Sequence, residues 1–231
     1  MMRYTRALCI LWIVAAHPVL AQSVLDATVA TVNGEYVMKS DVLWNLALDP
    51  TVRPEDFWSQ PTQDLMLRTL IDQRLLLQEA SKLPATTVGD EEVADYIKGL
   101  AERFNSDDAN RFTRRLALVG LTGPRLETIV RDRLQIEKYV DFRFRSFIVL
   151  TEPEVRQYFD TEIKPKLEDQ TAAGLDKIFA AQRPKIEQSM TEEKITTAID
   201  TYLEEARSRA EVVIFEPGVG SQGTGTGAGG R

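Results

Sequence analysis

Two stretches of this chain place apolar side chains at steps of three, one, three, one and three residues. Val93, Tyr96, Ile97, Leu100, Ala101 and Phe104 make the first series; Ile195, Ala198, Ile199, Tyr202, Leu203 and Ala206 make the second. That recurrence follows the 3.6-residue period of a helix, and a strand cannot gather it on one face. Further helices are expected from Ser40 to about Leu48, with Ser40 as N-cap, and from Thr62 to Lys82. A short one should end near Gly120, a suitable C-cap, and the next should start near Pro124 and run to about Arg145. Asp90, Glu91 and Glu92 open the first striped helix, where negative side chains favour the positive end of its dipole. A helix starting near Leu175 should restart or kink at Pro184. The chain is therefore predicted to be mainly α.

A small β element accompanies the helices. Thr28–Val32 and Glu35–Met38 flank Asn33-Gly34, a pair that tolerates the positive φ of a tight hairpin turn. An isolated hairpin is marginal in water. The apolar run Val212-Val213-Ile214-Phe215 would be a hazardous free edge if left alone. The two are expected to pair, with the last helix packed on the N-terminal helices. Phe147–Leu150 is a further short extended candidate.

The first 21 residues read as a secretory leader. Arg3 and Arg6 precede the apolar run Ala7–Ala16, and Val19-Leu20-Ala21 supplies a small-residue cleavage site. The run is too short to span a bilayer and is followed by Pro18, so no stable membrane anchor is expected. Cleavage after Ala21 would remove the only cysteine, Cys9, and the only histidine, His17. A mature chain without either residue has no disulfide, no usual zinc ligand set and no Ser-His or Cys-His pair. Losing Arg3 and Arg6 from 28 basic residues leaves 26 against 35 acidic ones, a net of −9. Such a balance argues against nucleic acid as a partner, because phosphate neutralisation dominates that binding. Residues 216–231 hold seven glycines in sixteen and are expected to form a disordered tail.

Val29-Ala30-Thr31-Val32-Asn33-Gly34-Glu35, followed by Lys39-Ser40-Asp41-Val42, resembles the start of the SurA family of periplasmic chaperones. Leu70–Gln78 (LIDQRLLLQ) is similar to that family's next helix. Ile148–Val155 (IVLTEPEV) resembles the segment leading out of its chaperone domain, and Glu193–Phe215 its C-terminal helix and closing strand. The resemblance divides the chain into a signal peptide (1–21) and a chaperone domain (22–155). A connection (156–174), C-terminal helices and strand packed on that domain (175–215) and the tail (216–231) follow. Relatives carry parvulin prolyl-isomerase domains where this chain has only Arg156–Gly174. That is fewer than the ~40 residues an unsupported domain needs.

What the resemblance implies is an ATP-independent periplasmic chaperone for unfolded exported or outer-membrane proteins, with no catalytic residue, metal or cofactor. A parvulin-type prolyl isomerase is the alternative by family naming, and an envelope scaffold for one folded partner is another. The paired carboxylates Asp90-Glu91-Glu92, Glu192-Glu193 and Glu204-Glu205 suit helix starts and solvated faces better than acid–base work. Client-binding candidates are Phe57, Trp58, Phe142 and Phe144. Phe57 and Trp58 lie in a proline-bracketed loop, which favours an exposed role. For Phe142 and Phe147, core packing is the simpler expectation.

Overall fold

A computed structural model describes residues 26–106, 108–167 and 171–215. The leader expected over residues 1–21 and the tail expected over 216–231 lie outside the described residues. Strands β1 (Thr28–Val32) and β2 (Glu35–Met38) form the antiparallel hairpin. Asn33 and Gly34 take φ of 51° and 83°, the left-handed conformations that its two-residue turn requires. Strand β3 (Val212–Ile214) pairs antiparallel with β1, Ala30 opposite Ile214 and Val32 opposite Val212, giving the order β2-β1-β3. The turn itself ties the chain ends together. Asn33 exchanges backbone and side-chain hydrogen bonds with Glu211 (2.8 and 2.9 Å), and its amide reaches Gln78.

Side chains alternate across the sheet, so Ala30, Val32 and Val37 share one buried face. That face packs on Ile71, Leu75, Leu76 and Ala80 of α2 (Gln60–Ala80), Tyr139 of α5 (Gly123–Arg143), and Ile195 and Leu203 of α7 (Ala172–Arg209). A second core lies between α3 (Asp90–Phe104), α4 (Arg111–Leu118) and α5, around Val93, Leu100, Phe104, Phe112, Leu126 and Val130. Gly120, at φ 64°, terminates α4. Its N–H reaches the Ala117 carbonyl and that of Leu121 the Leu116 carbonyl, the paired closing bonds of a Schellman motif.

Ser40 is not the cap of α1 (Lys39–Ala47). The helix starts one residue earlier, so Ser40 lies inside its first turn and donates from both N–H and Oγ to the Asp26 carboxylate. The Asp26 carboxylate thus satisfies an N-terminal N–H of the helix, where negative charge is favoured. Phe147–Leu150 is not a strand either. Phe147 N–H bonds to Phe144 O and Ile148 N–H to Arg145 O, winding the chain on from α5 through a 3₁₀ turn (Arg145–Phe147). No strand lies alongside to reward extension.

From Arg156 to Lys166 the connection is helical. Helix α6 (Glu152–Tyr158) runs into a turn of π-helix (Phe159–Ile163), and Phe159 is fully buried against Val155, Phe179 and Ile186. The Phe159 and Phe179 rings meet edge-on at 5.2 Å. Helix α7 continues through Pro184 as one 38-residue helix, without the restart expected there.

Glu154 joins α6 to α7. It receives Lys194 Nζ, Thr151 N–H and Thr151 Oγ, each at 2.8 Å. Lys194 first, then the two Thr151 donors, hold its carboxyl at about 2 against an ordinary 4.5. A depressed carboxyl contributes stability that is complete above its unfolded value and lost as pH falls through its folded value. The Glu154 contribution should therefore disappear between pH 4.5 and 2. Melting temperature followed over that window should fall less steeply in Glu154→Gln than in the parent. Identical acid limbs would mean that the Glu154 contacts do not survive in solution.

Candidate binding surface

The four aromatic candidates divide by one helical or 3₁₀ turn each. A 3₁₀ turn (Pro54–Trp58) sends Phe57 inward, 0% exposed among Val42, Leu46 and Ala47, and leaves Trp58 63% exposed. The last turn of α5 points Phe142 outward, 52% exposed, while Phe144 is buried edge-on against Tyr139 and Tyr202. Phe57 thus packs in the core, and Phe144 is 7% exposed. Phe147, for which core packing was the simpler expectation, is 72% exposed. The exposed candidates do not converge: Trp58 stands before α2, and Phe142 at the far end of α5.

Each stands beside a groove. The first, about 440 Å³, runs between the β3 edge and the first half of α2. Val29, Val42 and Leu67 supply its apolar lining, Ile214 and Phe215 one side, and Lys39, Asp64 and Arg68 its charges. Gln63 sets this wall. Its amide donates to the Phe57 carbonyl at 2.6 Å, and its carbonyl oxygen accepts from Lys39 Nζ. The groove is therefore coupled to the turn that carries Trp58. The second groove, about 680 Å³, lies between the end of α5 and α7 and includes Phe144, Met190, Ala198 and Tyr202. Its Lys194 donates to the carbonyl of exposed Val149, two residues beyond Phe147.

A smaller cleft of about 280 Å³ between β2, α1, α2 and α5 holds Arg74, Arg125, Asp132 and Arg133. Burial pushes the Asp132 carboxyl up, against the pull of Arg74 and Arg125. Among the described residues no group of three His, Cys, Asp or Glu could hold a metal ion, and no helix is long and apolar enough to cross a membrane.

Sequence reasoning missed Val149 and the outward side of β3. Val212–Phe215 was legible as an apolar strand, and the available signal was that pairing with β1 still leaves its other edge open. A search of curated proteins gives no match. The SurA-like N-terminal domain family matches residues 3–140, more than half of the chain, ending in the last turn of α5.

Proposed function

Because the chain belongs to the SurA-like N-terminal domain family, we propose that it is an ATP-independent periplasmic chaperone that holds unfolded exported chains, outer-membrane proteins among them. The observation that carries this reading is a pair of open, partly apolar grooves, one lined by Val29, Val42, Leu67, Ile214 and Phe215 and the other by Phe144, Met190, Ala198 and Tyr202. Clustered exposed apolar groups rimmed by polar ones mark interaction sites. Open grooves with mixed lining favour many weakly specified segments over one closely fitted ligand. The basic-apolar-small order of residues 1–21 supports export, and cleavage after Ala21 would leave the working protein without histidine or cysteine.

The mature protein should suppress aggregation of an unfolded β-barrel protein at near-stoichiometric ratio without ATP. Trp58→Ala should weaken suppression while changing stability by less than about 1 kcal/mol, as for a surface site. A large fall in melting temperature would instead make Trp58 a structural residue. Acceleration of X-Pro exchange in a test peptide by more than ~10-fold would favour the isomerase reading. Capture of one native envelope protein without any effect on unfolded chains would favour the scaffold.

A further inference from the structure

Strand β3 is the margin of the sheet, and its hydrogen-bonding register tells which backbone groups are spent. Asn33 N–H bonds to Glu211 O at 2.8 Å, and Phe215 N–H to Val29 O at 2.9 Å, with Val213 opposite Thr31 between them. Residues 211, 213 and 215 therefore turn their backbone groups toward β1. In an antiparallel ladder the alternate residues turn theirs the other way. Val212 and Ile214 thus point N–H and C=O outward, and among the described residues no hydrogen bond reaches them. An edge of this kind, left open beside apolar side chains, is a template for another strand.

The side chains beside it define which strand. Ile214 lies opposite Ala30 and so on the face that meets α2, and it is 55% exposed. The groove lined by Ile214, Phe215, Leu67 and Val42 opens there. A strand added to β3 would turn every second side chain to that face and the intervening ones to the face of Thr31 and Val213. We propose that the β3 edge and this groove bind an extended segment of unfolded polypeptide by strand addition, backbone to Val212 and Ile214, with apolar residues at alternate positions entering the groove. Main-chain bonds supply affinity without regard to sequence, and the groove selects the alternation. Strands of outer-membrane barrels carry that dyad pattern.

A second copy of this chain could meet the same groups, paired about Val213. A net charge of −7 on each copy opposes it. This mode of binding rests on the chaperone reading, and the test separates the two.

Backbone amide exchange at Val212 and Ile214 would be followed by NMR in the full chain. The probe is an acetylated ten-residue peptide alternating Val or Phe with Thr or Lys. Saturating peptide should slow both amides at least ~10-fold, as ordered hydrogen bonding does. Ile214→Pro removes an outward N–H and no bond to β1, a placement that edge strands tolerate. It should weaken peptide binding ~10-fold or more, because the added strand loses a ladder bond and meets the ring, with melting temperature unchanged. Equal binding to Ile214→Pro with unaltered exchange would overturn strand addition while leaving the chaperone reading intact. Slowing that rises with protein concentration without peptide would give the edge to a second copy and overturn it as well. Failure to bind the peptide while unfolded β-barrel protein is still held would overturn strand addition alone. Loss of both would end the two readings together. Were Ile214→Pro to unfold, exchange in the parent chain decides.

Discussion

A chain ended after Thr191 is expected to be unfolded or aggregated where the full chain melts cooperatively. The cut removes the second half of α7 and all of β3. Ile195 and Leu203 are buried in the core under the sheet, with Ala198, Ile199, Tyr202 and Ala206 packed on it. Burying Ile195 and Leu203 contributes roughly 3–6 kcal/mol gross, at about 1.5–3 kcal/mol per fully buried large side chain, and half-buried Ile199 and Tyr202 add to it. A whole domain's net stability is about 5–15 kcal/mol. Two further losses act in the same direction. β1 would become a free edge, and the fork of Arg207 Nε and Nη2 on Asp72, at 2.7 and 2.6 Å, would vanish. Ending the chain after Phe215 should cost almost nothing, because β3 and its last bond to Val29 remain. A Thr191-ended protein that stayed soluble and melted cooperatively at the parent temperature would make the two ends independent modules.

That dependence has a bearing on the family match. The matched residues stop at 140, yet the sheet face and α2 bury their apolar side chains against α7. The N-terminal domain is completed by residues about fifty positions further along the chain, which lie outside the match. Any client groove at the β3 edge is likewise made by both ends at once, Leu67 from one and Ile214 from the other.

Local chemistry was legible where a few adjacent residues decide the outcome. Asn33-Gly34 needs two positive φ values and takes them. The acidic start and striped face of Asp90–Phe104 fix a helix with those bounds. Gly120 ends α4, and an apolar C-terminal strand found the hairpin. Reasoning from neighbours fails where distant groups compete. Ser40 has the side chain for a cap, but the helix begins at Lys39 and the Ser40 hydroxyl donates to distant Asp26 instead. Phe57 and Trp58 are adjacent and equally apolar, and it is α1, Gln63 and Arg115, distant in sequence, that send one inside. Phe142, Phe144 and Phe147 likewise depend on where α7 lies.

The least legible residue has the largest expected single-site effect. Arg114 and Arg115 are adjacent on a helix with no outward sign of difference. Arg114 is exposed and paired with Asp108, an arrangement typically worth about 0–1 kcal/mol. Arg115 is 2% exposed, and among the described residues no carboxylate forms an ion pair with it. Its guanidinium lies 4.9 Å from the ring centroids of both Phe57 and Phe104. Its Nε donates to Ala47 O at 2.9 Å, and its Nη2 to Leu46, Asp49 and Val52 O at 2.8–3.1 Å. The cation thus closes the C-terminal end of α1, where partial negative charge gathers, and holds the chain leading to the Pro54 turn. Burial, and then Arg111 nearby, pull its pKa down, but a guanidinium remains charged. The Leu46 and Asp49 carbonyls also accept from Asp49 and Val52 N–H, so Arg115→Met would strand chiefly the Ala47 and Val52 carbonyls. Buried acceptors left unmet cost about 1–3 kcal/mol each. Loss of the two ring contacts adds about 0.5–2 kcal/mol each. Arg115→Met should therefore lose about 3–5 kcal/mol in denaturant unfolding, the low end of that sum, because removing the guanidinium also relieves its desolvation cost. Arg115→Lys should recover little of it, since an ammonium cannot reproduce the planar fork. Arg114→Ala should stay within about 0.5 kcal/mol of the parent, as exposed substitutions do. If Arg115→Met fell by less than about 1 kcal/mol, the size of a single net hydrogen bond, water would be satisfying those carbonyls and the Arg115 clamp would not be what fixes the Phe57 turn.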